Sequence, residues 1–417
     1  MTSFQDTARV YFPALRSGFV FADNAGGSQC TKLVAERIFD YLLNTNVQPG
    51  ADYPISVEST RCIAAGPVAA AELFNAASPD EIVFGATSTM NLENLARSLE
   101  KDILDDEEIV VTGEHEANVG PWKKLAARKG LTLKHWRPRT TDPSNPYSLT
   151  LDVEDLLPLI SAKTRIVAFV ACSNILGSIV PVKAIVTAAR SRAVELGVRK
   201  IEFSVDCVAY APHRRMNVQD WDVDYAVFSF YKLFGPHISA LYARAASLRS
   251  SISALTHHFL SVDTVGYKLQ PGGPGYELVY GAAGVPTYLK GLTPAGTLEA
   301  TFIASAVHEH VLSERLLGFL RGYAPRVLIV GDPLNGSSRV PTISFVVKGI
   351  LSRDVVRACD ETGTIGIRYG HFYAYTFINE LDPKIDIQDG VVRVSLVHYN
   401  TLEEVDRIII ALRGVLG

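Results

Sequence analysis

Short, almost continuously apolar segments alternate with longer amphipathic segments between residues 81 and 243, and this alternation limits the possible folds more than any other feature. The short segments are rich in β-branched residues and end at turn residues, which is typical of parallel strands covered on both faces. The longer segments, such as 91–103 and 182–196, carry apolar residues at helical spacing. The pattern predicts an α/β lobe over residues 21–270. The predicted strands are EIVFG at 81–85, EIVVT at 108–112, RIVAFVAC at 165–172, KIEFSVD at 200–206, YAVFSF at 225–230 and ISALYA at 238–243.

The pattern changes after QPGGPGYELVYGAAG at 270–285, whose glycines and prolines predict a long irregular loop or lobe boundary. A long helical pattern near 296–320 is followed by four further apolar runs: VLIVG, TISFVV, GIRYG and VVRVSLV. Thr401 and Glu404 have the spacing of a capping box, so we expect a final helix to begin there. This part of the chain predicts a smaller α+β lobe.

We expect a large domain over residues 21–284 and a small domain built from residues 1–20 and 285–417. A length of 417 residues gives each lobe enough apolar surface to form a core without disulfides or metal. The start of the chain carries no basic stretch followed by an apolar run, so no secretory signal is predicted. We therefore expect a cytoplasmic protein.

Charge and cysteine content exclude several classes of partner. The formal net charge is −4, with a pI of about 6.2, so the chain has no electrostatic footprint for nucleic acid or an anionic membrane. The five cysteines have irregular spacings and no C-x-x-C, which argues against a zinc ribbon or a disulfide framework. His308 and His310 point to different helix faces and lack ligand-spaced carboxylates, so no metal site is predicted. Small molecules are the expected partners.

Asp206 and Lys232 each follow an apolar strand, where ligands of open α/β sheets bind. Taken separately they are ambiguous, because a strand-end aspartate is commonly a turn former and a lysine is commonly a surface residue. Together they are informative. Pyridoxal phosphate requires a lysine for the Schiff base and an acid for its pyridine nitrogen.

Eight segments, in order, resemble the class V aminotransferase family of pyridoxal-phosphate enzymes, specifically its cysteine desulfurase-like branch. The resemblance implies the fold-type I architecture, with a mainly parallel seven-stranded sheet in the large lobe and a smaller α+β lobe at the C-terminus. It also implies a homodimer with active sites between lobes and subunits, and a small amino-acid substrate. The segments are DNAGGSQ at 23–29, FGATSTMN at 84–91, EHEANVGPW at 114–122, SNILGSIVP at 173–181, SVDCVAYAPH at 204–213, FSFYKLFGPH at 228–237, PGGPGYELVYG at 271–281 and RVSLVHYNTLEEVDR at 393–407.

The resemblance assigns catalytic and cofactor-binding roles around the pyridoxal ring. Lys232 would carry the cofactor and move the substrate α-proton, while Asp206 would keep the pyridine nitrogen protonated. His115 would stack on the ring, although such a residue can also be a helix cap. Asn174 matches the asparagine near the phenolic oxygen of the cofactor.

A second group of residues is expected at the phosphate. Thr87 and Ser88 begin a predicted helix, whose free amides and dipole suit an anion. Ser229 resembles another phosphate contact, and Tyr231 replaces the family's histidine before the lysine. Gly273 takes the place of a threonine from the partner subunit, so only backbone amides remain as donors there.

The remaining assignments concern the substrate. Arg393 matches the arginine that holds the substrate carboxylate in a bidentate fork, and Asn24 and Arg368 are also expected to bind substrate. The loop R-Y-G-H-F-Y-A at 368–374 departs from the family, because Tyr373 occupies the position of the mobile catalytic cysteine. Tyr373 or His371 would then donate a proton or hydrogen bond to the leaving group.

These assignments support α,β-elimination from a cysteine derivative to pyruvate, ammonia and a sulfur fragment, as in the fungal cysteine-sulfoxide C–S lyases that the chain resembles. Three alternatives stay open. The first is decarboxylation of aspartate at its side chain followed by addition to an aldehyde, with Arg368 or His371 binding the second carboxylate. The others are a cysteine desulfurase and a non-catalytic binding protein.

Overall fold

The apolar runs of the first 243 residues form one seven-stranded sheet in the computed structural model, which describes residues 3–259 and 268–417. The strands are β1 Val20–Phe21, β2 Ile82–Gly85, β3 Glu108–Thr112, β4 Thr132–Trp136, β5 Arg139–Thr140, β6 Leu149–Thr150, β7 Thr164–Val170, β8 Glu202–Asp206, β9 Tyr225–Ser229, β10 Ser239–Ala243, β11 Val327–Val330, β12 Thr342–Val347, β13 Ile365–Gly366, β14 Arg368–Gly370 and β15 Val391–Ser395. The large sheet has the order β2-β10-β9-β8-β7-β3-β4. The predicted seven-stranded, mainly parallel sheet is confirmed.

Only β10 runs against its neighbours in this sheet. The short connection over 230–238 explains this direction, because a parallel return needs a crossover of a dozen or more residues. The connection contains Lys232, which is therefore held at the carboxyl-terminal edge of the sheet, next to the end of β8.

Helices cover both faces of the large sheet, and three helices pack on one face of the small sheet. The α-helices are α1 Phe4–Arg9, α2 Lys32–Asn44, α3 Pro54–Phe74, α4 Ser88–Leu99, α5 Gly120–Lys129, α6 Val153–Leu156, α7 Val182–Glu195, α8 Val218–Trp221, α9 Ala245–Ser250, α10 Tyr276–Ala282, α11 Gly284–Lys290, α12 Leu298–Arg321, α13 Ser352–Asp360, α14 Tyr375–Glu380 and α15 Leu402–Leu416. The capping box predicted at Thr401 and Glu404 is present at the start of α15. This box satisfies two backbone amides that would otherwise lack acceptors.

The C-terminal part of the chain forms the predicted smaller α+β unit. Its antiparallel sheet has the order β11-β12-β15-β14 and packs against α12, α13 and α15 around one buried cluster. The domain boundary at residue 284 remains a prediction. Side chains that follow it, including Val285 and Leu289, belong to the buried cluster of the large sheet.

Three local expectations are corrected. The segment 270–285 contains α10 rather than a continuous irregular loop, because only its first part is rich in glycine and proline. The run GIRYG divides into β13 and β14, which pair with different strands. β4 was not among the predicted strands, since it lies at a sheet edge and most of its side chains are partly exposed.

Among residues 3–259 and 268–417, no helix is long and apolar enough to cross a membrane. Within the same ranges, no cluster of three or more His, Cys, Asp and Glu side chains is arranged to hold a metal ion.

Candidate active site

A cavity of about 190 Å³ lies at the carboxyl ends of β7, β8 and β9. Parallel strands place the residues that follow them at one edge of the sheet, which is why distant segments of the chain meet here. The lining residues are Thr87, Ser88, Thr89, His115, Val170, Cys172, Asn174, Asp206, Val208, Ala209, Tyr231, Lys232 and Tyr373.

Asp206 is the last residue of β8 and is 5% exposed. Its Oδ1 accepts a hydrogen bond from the amide of Val208 at 2.9 Å, which fixes the carboxylate at the strand end. Burial raises the pKa of Asp206 because the charged form loses its hydration, while Lys232 and the Val208 amide oppose this rise. The carboxylate is therefore a strong acceptor for a cationic ring nitrogen.

Lys232 ends the 3₁₀ turn Phe230–Lys232 that follows β9, and it is 6% exposed. Its amine makes no hydrogen bond or ion pair with any residue in 3–259 and 268–417. Burial and the nearby Arg393 lower the pKa of Lys232 to about 8. A substantial fraction of the amine is thus neutral near physiological pH and able to act as a nucleophile or base.

His115 precedes the 3₁₀ turn Glu116–Asn118, and its Nδ1 accepts from the amide of Ala117 at 3.2 Å. Burial, with Lys232 and Arg393 nearby, lowers the pKa of His115 to about 3. The ring is consequently neutral and carries its proton on Nε2. A neutral aromatic ring at this place suits stacking on a heterocycle.

The amino end of α4 forms the other side of the cavity. Thr87 caps this helix by accepting from the amide of Met90 at 3.1 Å, and the amides of Ser88 and Thr89 have no acceptor within the helix. The hydroxyl of Ser229 is buried and has no partner among the described residues. These donors, with the helix dipole, suit a phosphate group.

Asn174 follows β7 and is 5% exposed. Its Nδ2 donates to the carbonyl of Phe372 at 3.1 Å, while its Oδ1 is buried without a partner in the described part of the chain. Asn174 thus connects the first cavity to the loop 368–374, and its Oδ1 is a buried polar atom without a partner in the described residues.

A second cavity of about 520 Å³ adjoins the first, and His115, Asn174, Tyr231, Lys232 and Tyr373 line both. It also exposes cationic side chains and the glycine-rich segment after β1. The residues that line only this second cavity are Ala25, Gly26, Arg368, Tyr369, Gly370, His371, Phe372, Gln388 and Arg393.

Arg393 lies on β15 and is 1% exposed. Its Nη2 pairs with Asp23 Oδ1 at 2.9 Å, and its Nη1 donates to the carbonyl of Asn174 at 3.3 Å. The ring of Phe372 lies 3.7 Å from the guanidinium carbon, so it covers one face of the cation. Burial lowers the pKa of Arg393 to about 10, which keeps the group charged and available to a carboxylate.

Asp23 also pairs with Arg368, whose Nε lies 3.0 Å from Oδ2. One carboxylate therefore joins the two arginines that line the second cavity. Asp23 and Phe372 were not among the predicted site residues. The sequence signal for Asp23 was its place in the motif DNAGGSQ. Its pairing with the two arginines was not predictable, because they lie more than 300 residues away in the sequence.

The profile of the family described as aminotransferase class-V matches residues 20–408. The chain belongs to the class V aminotransferase family. The aminotransferase-like protein FGM3 of Gibberella zeae is 41% identical over 99% of this chain and 98% of its own length. The cysteine desulfurase-like protein ustD of Aspergillus flavus is 32% identical over 96% of this chain and 88% of its own.

Solved structures agree with this membership. The apo structure of a cysteine desulfurase from Thermococcus onnurineus aligns over 98% of this chain and 97% of that one, with a TM-score of 0.81 and 26% identity. Class V aminotransferases and cysteine desulfurases use pyridoxal phosphate and small amino-acid substrates, and they are typically homodimers. The predicted family and fold are thus confirmed.

Most of the predicted site residues meet at the two cavities, whereas Asn24 lines neither of them. Its Nδ2 donates to the carbonyls of Phe21 at 2.8 Å and Ser395 at 2.9 Å, and its Oδ1 accepts from the hydroxyl of Tyr399. Asn24 is 2% exposed. These internal bonds occupy both amide hydrogens of Asn24, and its role toward the substrate remains a prediction.

Gly273 lies outside both cavities. It lines a separate cavity of about 480 Å³ with Pro49, His257 and Tyr276. A Cβ at Gly273 would come within 2.6 Å of the Tyr276 hydroxyl oxygen, so the backbone packs closely there. A phosphate contact from Gly273 therefore remains a prediction about the partner subunit.

The residues present fit pyridoxal phosphate. The Lys232 amine and Asn174 Oδ1 line the first cavity and have no partner among the described residues. The buried hydroxyl of Ser229, three residues before Lys232, has no partner among them either. Such atoms carry a large desolvation cost unless a ligand satisfies them. Asp206, the α4 amides and these three atoms would supply the ring-nitrogen, phosphate, Schiff-base and phenolic-oxygen contacts that this cofactor requires.

Proposed function

We propose that this class V aminotransferase family member binds pyridoxal phosphate and catalyses α,β-elimination from a cysteine derivative, such as an S-substituted cysteine sulfoxide. The products are pyruvate, ammonia and a sulfur fragment. The observation that carries the proposal is the buried Lys232 amine, which has no partner among the described residues and whose pKa responds to Asp206 and Arg393. A protein that only binds ligands has no need of this costly arrangement.

Pyridoxal phosphate, when bound, supplies an electron sink for the bond broken at the substrate α-carbon. Arg393 holds the substrate carboxylate, because its guanidinium is charged and its position is fixed by Asp23 and Phe372. Lys232 Nζ takes the α-proton, for which its pKa of about 8 is well matched. His115 excludes water from one face of the site.

The electron pair released at the α-carbon forms a double bond to the β-carbon as the carbon–sulfur bond breaks. Tyr373 lines both cavities and is 72% exposed, so its hydroxyl is free to donate a hydrogen bond to the departing group. His371 is a second donor, since its Nδ1 accepts from the Tyr373 amide at 3.2 Å and leaves Nε2–H for another acceptor. Hydrolysis of the remaining fragment gives pyruvate and ammonia.

The cysteines of the chain argue against sulfur transfer by the desulfurase route. None lies in the loop 368–374. Cys172 does line the first cavity, but burial raises the pKa of its thiol to about 12, so it carries almost no thiolate near neutral pH. A good leaving group at the substrate β-carbon replaces the need for a protein nucleophile.

The test is an incubation of the holoenzyme with S-methyl and S-allyl cysteine sulfoxides, cysteine, cystine, and aspartate plus an aldehyde. Pyruvate, sulfide and carbon dioxide are followed together. We expect pyruvate in equal amount to sulfoxide consumed. Sulfide from cysteine, without pyruvate, would contradict the proposal and support a desulfurase.

A second candidate function is decarboxylation of aspartate at its side chain with addition of the product to an aldehyde. Arg368 favours it, because this arginine lines the substrate cavity beside Arg393 and provides a second cation for a dicarboxylate. The Arg368 side chain is 54% exposed, and Asp23 is its only ion-pair partner among the described residues. Carbon dioxide from aspartate without pyruvate would select this candidate. Arg368→Gln should then raise KM for aspartate while leaving KM for a neutral side chain unchanged.

We also infer a homodimer, with Gly273 contributing to the partner's site. Apolar side chains are exposed on α2 and α3, including Phe39 and Leu43, which are 66% and 65% exposed. Exposed apolar side chains on neighbouring helices are typical of an association surface. Light scattering at micromolar concentration should give twice the chain mass of 45.4 kDa, and a stable monomer would contradict this inference.

A further inference from the structure

Glu114 is a buried acid that the proposed function does not use. It precedes His115 and is 1% exposed. Its Oε2 accepts from the hydroxyl of Ser173 at 2.7 Å, and its Oε1 is buried without a partner in residues 3–259 and 268–417. No lysine, arginine or histidine of those residues forms an ion pair with it. A carboxylate at this depth is strongly disfavoured unless it is paired or protonated.

Ser173 links Glu114 to the residues that face the cofactor and substrate. Its oxygen accepts from the amides of Ile175 at 3.3 Å and Leu176 at 3.0 Å, so its one hydrogen goes to Glu114. These bonds shape the turn that carries Asn174. The same turn accepts a hydrogen bond from Arg393 through the Asn174 carbonyl, so Glu114 is connected to both cavities.

Glu114 follows β3 and Asp206 ends β8, so two buried acids lie at the carboxyl-terminal edge of the large sheet, with β7 between their strands. The negative charge of Asp206, at the end of β8, acts on Glu114, and the thiol of Cys172 faces it from the end of β7. Burial and Asp206 together raise the pKa of Glu114 to about 7, against the hydrogen bond from Ser173. Cys172 is neutral and Lys232 acts mainly on Asp206 and His115. A proton on Glu114 removes its repulsion of the Asp206 carboxylate.

We propose that Glu114 is a positioning residue: it orients the Asn174 turn through Ser173 and, by holding a proton, keeps the negative charge of this pair of acids on Asp206. The effect of this charge on the ring nitrogen depends on the proposed binding of pyridoxal phosphate. The electrostatic part of the inference is independent of cofactor, because the burial of Glu114 is a property of the chain itself.

The first experiment compares wild type with Glu114→Gln in the absence of cofactor, by thermal unfolding from pH 5 to pH 8.5. Glutamine keeps the acceptor for Ser173 and has no charge to bury. Because the folded pKa is raised, the wild type loses stability as pH rises from the unfolded value of about 4.5 through about 7. We expect wild type to lose several degrees relative to the variant over this range. Parallel curves would overturn the inference, whether or not the protein binds cofactor.

The second experiment titrates the absorbance of the loaded enzyme. We expect an inflection near pH 7 in wild type that Glu114→Gln removes, with a cofactor Kd within about threefold of wild type. Ser173→Ala should instead raise that Kd about tenfold, which corresponds to the loss of one hydrogen bond. Glu100→Gln, on the surface and paired with Arg128, is the matched control and should behave as wild type.

The outcomes separate the two proposals. An absence of cofactor absorbance in wild type would defeat the proposed function and leave the stability comparison to decide on Glu114. Normal cofactor binding with a pH-dependent inflection retained in Glu114→Gln would overturn the inference about Glu114 alone.

Discussion

Asp23 joins the two arginines of the substrate cavity, so its charge is the most informative one to remove. In Asp23→Asn the carboxylate that lies 2.9 Å from Arg393 and 3.0 Å from Arg368 becomes a neutral amide. The side chain of Arg393 is 1% exposed and that of Asp23 is 29% exposed, so this pair is partly desolvated. The pair with Arg368 is more exposed and contributes little.

The magnitude follows from these exposures. Breaking a fully buried pair costs about 3–5 kcal/mol and breaking an exposed one about 0–1 kcal/mol. We therefore expect Asp23→Asn to lower the free energy of unfolding by about 2 kcal/mol. The pKa of Lys232 should fall below about 8, because Asp23 stabilises its ammonium form while Arg393 and Arg368 oppose it.

Two assays check this prediction. Thermal unfolding measures the stability loss, and the pH dependence of the rate at which the cofactor-free protein forms a Schiff base with pyridoxal phosphate reports the titration of the Lys232 amine. The acid limb assigned to Lys232 should move to lower pH. The exposed Asp52, mutated to Asn, is the matched control and should change neither quantity. An unchanged melting temperature, or a limb that moves to higher pH, would refute the electrostatic reasoning.

Three other substitutions test separate parts of the account. Cys172→Ala should keep kcat within about twofold, because its thiol, with a pKa of about 12, is protonated; loss of all activity would indicate a catalytic thiolate. Arg393→Lys should raise KM for the amino-acid substrate about tenfold or more, since the bidentate fork is lost, and an unchanged KM would place the carboxylate elsewhere. Thr401→Ala removes the capping box of α15 and should cost about 1 kcal/mol in chemical unfolding, with activity kept; a neutral effect would mean that water replaces the cap.

The sequence predicted those parts of the fold that depend on local pattern. β3 coincides with the apolar run 108–112, and α15 begins at the capping box of Thr401. β4 and α10 escaped prediction for physical reasons. The edge strand β4 is only partly buried and lacks a continuous apolar pattern, while the glycines around α10 conceal a short helix that packs against α2 and α3.

The sequence allowed individual residues of the candidate site to be predicted when their type and position pointed to a chemical role. Lys232 and Asp206 stand beside one cavity, as expected from their places after two strands. Pairings between distant segments were not predictable. The motif DNAGGSQ does not reveal that the side-chain amide of Asn24 forms hydrogen bonds with Tyr399 and Ser395. It also does not reveal that Asp23 forms an ion pair with Arg393. These contacts depend on how β15 packs against the segment after β1.

The most direct test of the central claim is the absorbance spectrum of the protein mixed with pyridoxal phosphate, compared between wild type and Lys232→Ala, with pyruvate release from a cysteine sulfoxide measured on the same samples. We expect wild type to show a Schiff-base absorbance that is shifted from that of free cofactor, together with pyruvate formation. Lys232→Ala should lose both. A wild-type spectrum identical to free cofactor, or pyruvate formation that persists in Lys232→Ala, would contradict the account.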